Sequence, residues 1–251
     1  MKSSVLVLAL LCAGRPLARA GEADELLLKI DGAVASTRDK VWQVNMRVIA
    51  TDGDVREARL LMLQGGSDKR ILRFLAPGNM RNTALMATTS RELYVFIGGE
   101  NRVRRLGSSA LTQTFLGSDF VFEDLGDISF HEHYTPKIVG RQGENTIVQL
   151  DPKDASGSWS KLVLYAEPHG LLLRIEYYDR SGAHVRTQTR TFERGKSQYE
   201  TWVPRRILMV NERTKHATEL SVEVADAEHG IPAEVFSLRG LQRGDDLRYA
   251  P

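Results

Sequence analysis

The chain carries a single cysteine, Cys12, which sits inside the apolar run Val5 to Ala13 near its start. Lys2 precedes this run and Ala18-Arg19-Ala20 follows it, which is the charged, apolar and small-x-small order of an export leader. The run is too short to span a bilayer as a mature helix. Cleavage is expected after Ala20, with release into the periplasm. Leu10-Leu11 stands before the cysteine where bacterial lipidation wants small residues, so Cys12 is not expected to carry a lipid. The mature chain then has no cysteine. That excludes disulfides in an oxidising compartment and leaves stability to the core.

An excess of charge is also missing. The whole chain has a net charge of +2, and the leader holds Lys2, Arg15 and Arg19 with no acid, so losing these three positive charges brings the net to −1. A near-neutral chain lacks the basic face that nucleic-acid binding needs. No later stretch is long and apolar enough to cross a membrane as a helix. A glycine-rich phosphate loop, a G-x-S-x-G elbow and the alternating strand-helix pattern around such an elbow are all absent. No catalytic residue and no cofactor is assigned. Composition does not break and no repeat or low-complexity tract recurs, so the division is a signal peptide over 1–20 and one domain over 21–251.

What the chain does have is alternation. Asp24 to Ala35 reads as a helix, with Asp24 and Glu25 near its N-terminus and Leu27, Ile30 and Val34 at helical spacing. Trp42, Val44, Met46, Val48 and Ala50 then alternate with polar residues up to the turn Thr51-Asp52-Gly53, a half-buried antiparallel strand. Short apolar runs follow at Leu60 to Leu63, Ile71 to Leu75, Thr83 to Met86 and Leu93 to Ile97. In the second half they come at Thr146 to Leu150, Lys161 to Tyr165, Leu171 to Tyr178, Val185 to Thr191, Ile207 to Val210 and Thr218 to Val224. Along Leu171 to Tyr178, alternation predicts Leu171, Leu173, Ile175 and Tyr177 on one face and Arg174 and Glu176 on the other. About ten such strands fit one curled antiparallel sheet with an apolar concave face. The N-terminal helix and the long connection Ser108 to Phe130 are the candidate covers of that face. Two readings stay open for it, an acyl-chain site under loose covers and a dry core that the covers complete.

Several polar groups invite a chemical reading. Phe115 to Leu125 (F-L-G-S-D-F-V-F-E-D-L) places Phe120 and Phe122 two apart inside a collar of Asp119, Glu123 and Asp124, after a bend permitted by Gly117. It reads as a core strand with polar ends or as a segment that touches a ligand. His131 and His133 would share one face of a strand, but a metal site wants further ligands and none is assigned. Arg102, Arg104 and Arg105 form a basic cluster in which alternation places Arg102 and Arg104 on one face and Val103 and Arg105 on the other. They read as a solvated strand pairing with acids such as Glu100 or Asp124, or as a rim that meets lipid headgroups or a partner.

The order L-R-F-L-A-P (Leu72 to Pro77), N-T-A-L-M (Asn82 to Met86), L-Y-V-F-I (Leu93 to Ile97), R-V-R-R-L (Arg102 to Leu106) and G-S-D-F with E-D-L (Gly117 to Leu125) resembles the LolA-like outer-membrane lipoprotein-sorting family. The likeness runs from Trp42 to Phe236. It departs at Asn82, where members often carry glycine, and at Gly98-Gly99, where they often carry proline. The resemblance implies a mainly β (α+β) fold, a large curled antiparallel sheet forming an incomplete β-barrel of LolA/LolB type, with a few helices over its concave apolar face. It implies a non-enzymatic periplasmic carrier that shields acyl chains of a lipoprotein or lipid between the inner and outer membranes. An inner-membrane transporter and an outer-membrane acceptor are its implied partners. The alternatives are a periplasmic lipid-sensing regulatory domain and a hydrolase of an envelope lipid. Leu72, Phe74, Leu93, Val95, Phe120 and Phe122 are the cavity candidates, because they recur at strand spacing within the densest part of the likeness.

Overall fold

The computed structural model describes residues 20–34, 39–66, 68–89, 92–126, 129–155, 157–195, 202–227 and 229–250. The leader and its cleavage signal lie outside these residues, apart from the backbone of Ala20. Alternation builds the middle of the molecule. β1 (Asp39–Ile49) pairs on one side with β2 (Val55–Gly65) and on the other with β13 (Ala217–Ala227), both antiparallel. From β1 the chain steps outward strand by strand through β2, β3 (Lys69–Ala76), β4 (Ala84–Thr89) and β5 (Glu92–Ile97) to the edge strand β6 (Arg102–Arg105). It then crosses to the opposite edge by way of three short helices, α2 (Ser108–Leu111), α3 (Phe122–Gly126) and α4 (Phe130–His133).

There β7 (Tyr134–Gln142) starts the return, through β8 (Asn145–Pro152), β9 (Lys161–Ala166), β10 (Leu172–Tyr178), β11 (His184–Arg194) and β12 (Trp202–Asn211) to β13. The result is a single sheet of 13 strands whose two ends, β6 and β7, do not pair with each other. The barrel is therefore incomplete, as the resemblance implies. β7 was not among the strands expected from the sequence. It is an edge strand broken by Pro136 and by a register shift between Ile138 and Gly140, features that edge strands tolerate and that hide the alternation.

Both faces of the first half are covered, which explains why Leu60 to Leu63 is continuously apolar. Leu60 and Met62 face inward with Val44, Met46, Leu72, Phe74 and Leu85, whereas Leu61 and Leu63 face outward with Val41, Ile71, Ala84, Met86 and Phe96. The outward set is roofed by the C-terminal segment, where Val235, Phe236 and Leu241 of α5 (Leu238–Arg243) and its flanks are buried. Arg73, between the inward Leu72 and Phe74, points into that roof. Its guanidinium donates to both carboxylate oxygens of Asp246 at 2.5 and 2.8 Å and to the carbonyl oxygens of Leu241 and Asn82 at 2.6 and 2.9 Å. Arg73 and Asp246 are 1% and 0% exposed. A pair so buried is dangerous to break from one side, at roughly 3–5 kcal/mol.

The inner face is continuous across both halves. β10 corrects the expected alternation. A register shift against β9 between Leu172 and Arg174 moves the inward positions to Leu172, Ile175 and Tyr177, and Leu173 is not among the buried core residues. Glu176, nearly buried, accepts hydrogen bonds from the Tyr165 and Tyr178 hydroxyls at 3.1 and 3.0 Å and pairs with Arg174.

Candidate functional site

Residues 106–126 and 129–133 lie between the two sheet edges across the open side of the inner face, and α1 (Ala20–Val34) lies beside them. In α1, Leu27 and Ile30 are buried in the inner cluster, while the side chain of Val34 lies outside the described residues. The crossing segment contributes Phe115, Phe120, Val121 and Leu125 to the same cluster. The Phe115 ring centroid sits 5.8 Å from that of Phe74 and 5.4 Å from that of Phe122, edge-on to the latter. Such aromatic contacts stabilise beyond the area they bury, by about 0.5–1.5 kcal/mol.

Phe120 and Phe122 do not share a strand. Thr114 and Val121 form an isolated bridge, Leu116 and Gly117 take positive φ, and Phe122 opens α3. Even so, all six candidates meet. Leu72, Phe74, Leu93 and Phe120 are buried in the inner cluster, and Val95 and Phe122 pack at its margin, half-buried. What the structure records for them is side-chain packing between sheet and cover.

Polar hooks hold the crossing segment down, and the acids of the expected collar supply most of them. The backbone N–H of Asp119 donates to Thr218 Oγ1 at 2.9 Å, that hydroxyl donates back to Asp119 Oδ2 at 2.7 Å, and His216 Nδ1 lies 2.7 Å from the same oxygen. Glu123 accepts from the backbone N–H and hydroxyl of Ser158 at 3.0 and 2.7 Å. Arg56 and Arg70 donate to the carbonyl oxygens of Gly117 and Leu125. At the far end Asp31 of α1 accepts from the N–H groups of Phe130 and His131 and from the Ser129 hydroxyl, which ties the two covers to each other. His131 and His133 thus lie on α4 and not on a strand. Among the described residues no group of three or more metal-ligating side chains comes together.

Asp124 is a different kind of contact. It is buried on α3, accepts from the Val121 N–H at 2.9 Å and faces Arg186 of β11 at 3.9 Å. Burial pushes its carboxyl up to about 7, against the opposing pulls of the Val121 N–H and the Arg186 guanidinium. Burial likewise holds the Tyr177 hydroxyl well above its ordinary range.

The basic cluster divides as alternation predicts. The β5–β6 register sets Arg104 opposite Val95 and Arg102 opposite Ile97, while Val103 lies opposite Phe96 and Arg105 opposite Tyr94. Arg104 pairs with Glu100, and Arg105 with Glu92 at 3.4 Å. Asp124, the other expected partner, faces Arg186 instead. Of the three arginines, Arg105 lines a cleft of about 390 Å³ beside the cover, together with Leu106, Leu111 and Glu123. His216, Thr218, Trp159 and Arg186 were not singled out from the sequence. They meet the cover from strands and loops far along the chain, and nothing in their local sequence marks them.

The departures from the family pattern also find a place. Asn82 adopts φ +68, a conformation that glycine takes freely and that asparagine tolerates better than most residues. A Cβ on Gly98 would lie 2.9 Å from the Cβ of Asn82, so the turn after β5 needs its glycine because it packs on the turn at Asn82.

A family model described as that of an uncharacterized protein matches residues 66–243. No curated protein matches the chain. Among solved structures, a domain described as that of an outer membrane lipoprotein-sorting protein from Vibrio parahaemolyticus is similar at 22% identity and a TM-score of 0.80, over 90% of this chain and 100% of that one. A DUF1329 family protein from Desulfovibrio piger is similar at 18% identity and 0.80, over 88% and 98%. A LolA superfamily protein from Nitrosomonas europaea is similar at 20% identity and 0.72, over 87% and 98%. At these identities the likeness establishes the fold, an open, lidded antiparallel sheet.

Proposed function

We propose, from a family model that matches residues 66–243 and a fold shared with lipoprotein-sorting and LolA superfamily structures, that the chain is a non-enzymatic periplasmic carrier. It takes the acyl chains of a lipid or lipoprotein against its inner face and moves them between inner and outer membrane. One observation carries the reading. The two sheet edges do not meet, and among the described residues the apolar face between them is covered by α1 and the crossing segment, which side-chain hooks hold down. Each buried methylene is worth about 0.8 kcal/mol, so an unshielded chain of ordinary length faces a barrier on the order of 10 kcal/mol in water. An apolar face under a cover that lifts lowers that barrier. Delivery then calls for an inner-membrane transporter and an outer-membrane acceptor.

Phe122→Gln and Val95→Gln test the assignment, because both side chains sit half-buried at the margin of the cluster. Expected is a clear loss of fluorescent fatty-acid binding with a nearly unchanged melting temperature. Collapse of both variants, or unaltered binding in both, would show that the inner face is an ordinary core.

A further inference from the structure

Beside the crossing segment lies a second cleft, of about 410 Å³, whose lining carries three guanidinium groups: Arg180 and Arg186 from the β10–β11 hairpin and Arg213 from the β12–β13 hairpin. Thr112 and Val121 of the crossing segment and Trp159 line it as well. Val121 and Trp159 are members of the buried inner cluster, 2% and 6% exposed. The cleft is thus a cationic mouth that opens on the apolar interior.

Each guanidinium is held differently. The Arg180 side chain is fixed to the wall by donating to the carbonyl oxygens of Ala155 and Gly157. Arg186 stacks over the Trp159 ring, 5.2 Å from its centroid, and Trp159 in turn packs edge-on against Tyr177. Among the described residues its buried Nη1 has no hydrogen-bond partner, and the carboxylate oxygen of Asp124 that it faces lies 3.9 Å away. This is beyond hydrogen-bond range, and a buried charged N–H without an acceptor is costly. Arg213 is exposed, and its charge helps the turn's own donors, led by the Ser181 hydroxyl, hold the Asp179 carboxyl below its ordinary range. The acid in the lining, Asp179, is occupied by its own turn, where it accepts from the N–H and hydroxyl of Ser181 and from the N–H of Ala183.

We propose that this cleft binds the phosphate of an anionic lipid headgroup, with Arg186 and Arg213 as its principal donors and the acyl chain leading inward past Trp159 and Val121. A phosphate oxygen supplies the acceptor that Arg186 Nη1 lacks, and planar guanidinium forks match phosphate geometry. The inference rests on the carrier reading for the acyl chain. Inorganic phosphate shares the headgroup's chemistry, so the experiment separates the two sources.

The probes are lysophosphatidic acid, the monoacylglycerol of the same chain length, and inorganic phosphate, each titrated against the wild type, Arg213→Gln and Arg186→Gln. Expected is tighter binding of lysophosphatidic acid than of monoacylglycerol, by about tenfold, with that preference largely lost in either variant. Arg213 is exposed, so Arg213→Gln should melt near the wild type and keeps the test valid if Arg186→Gln fails to fold. Equal binding of the two lipids, or an undiminished preference in Arg213→Gln, would overturn the headgroup site and leave the carrier standing. Arginine-dependent binding of inorganic phosphate, with neither lipid bound, would overturn the carrier reading and assign the cleft to a free anion. Binding of none of the three would overturn both.

Discussion

Asp124 shows how one buried side chain can tune the cover. Its carboxyl is pushed up to about 7 by burial, beside Arg186, Glu123, Trp159 and the Tyr177 hydroxyl, whereas in the unfolded chain it titrates near 3.9. Between roughly pH 4 and 7 the folded protein therefore holds a proton that the unfolded chain has lost, so this group's contribution to stability falls as pH rises through that window. Asp124→Asn removes the titration and keeps an oxygen to accept the Val121 N–H. Stability measured from pH 5 to pH 8 should fall more steeply in the wild type than in Asp124→Asn, and the divergence should reach a few kcal/mol at most. Parallel profiles would show that the carboxyl is not titrating in its buried place. The opposite outcome of burial is seen at Arg73 and Asp246, whose bidentate geometry and carbonyl contacts satisfy both charges inside the outer core.

Among the elements, α1 seats its backbone against the turn before β10. Gly170, in the turn before β10, has φ +89, and a Cβ there would meet the carbonyl oxygen of Lys29 at 2.8 Å. Gly170→Ala should cost about 1–3 kcal/mol through backbone strain and should push α1 off the sheet. Hydrogen exchange should then quicken in α1 and stay slow in β1 and β2, whereas unchanged exchange in α1 would mean that the helix accommodates the methyl.

The same scale shows what the sequence made legible. The strands from β1 to β5 are readable because alternation and doubly buried runs such as Leu60 to Leu63 leave a strong pattern. The inward positions of β10 were misplaced because a bulge at Leu172–Arg174 shifts the period. β7 escaped notice because an edge strand needs no apolar face and carries Pro136. Phe120 and Phe122 lack the strand geometry their spacing suggests, since two aromatics two apart look alike in a strand and in a chain that turns into a helix. Within the candidate site, the acidic collar was visible as a run of acids. Its partners His216, Thr218, Ser158 and Arg186 were not, because only the tertiary fold brings them to it. The C-terminal roof held by Arg73 was invisible for the same reason.

For the whole molecule, the decisive feature is a chain that starts in the middle of a sheet, walks to one edge, crosses the open side and walks back from the other edge to the middle. The crossing segment lies over the inner face, tethered at both ends and hooked between them at Asp119. A carrier needs that segment to lift, and the hook offers a way to prevent it. The chain from Gly21 onward contains no cysteine, so Asp119→Cys with Thr218→Cys introduces a single reversible cross-link between cover and sheet at a pair already in side-chain contact. The direct measurement is the rate at which this protein moves a fluorescent acyl lipid from donor to acceptor vesicles, oxidised against reduced. Transfer by the reduced protein that stops on oxidation and returns with reductant is the expected result, and equal rates in the two states, or no transfer by the wild type at all, would contradict a carrier that works by lifting its cover.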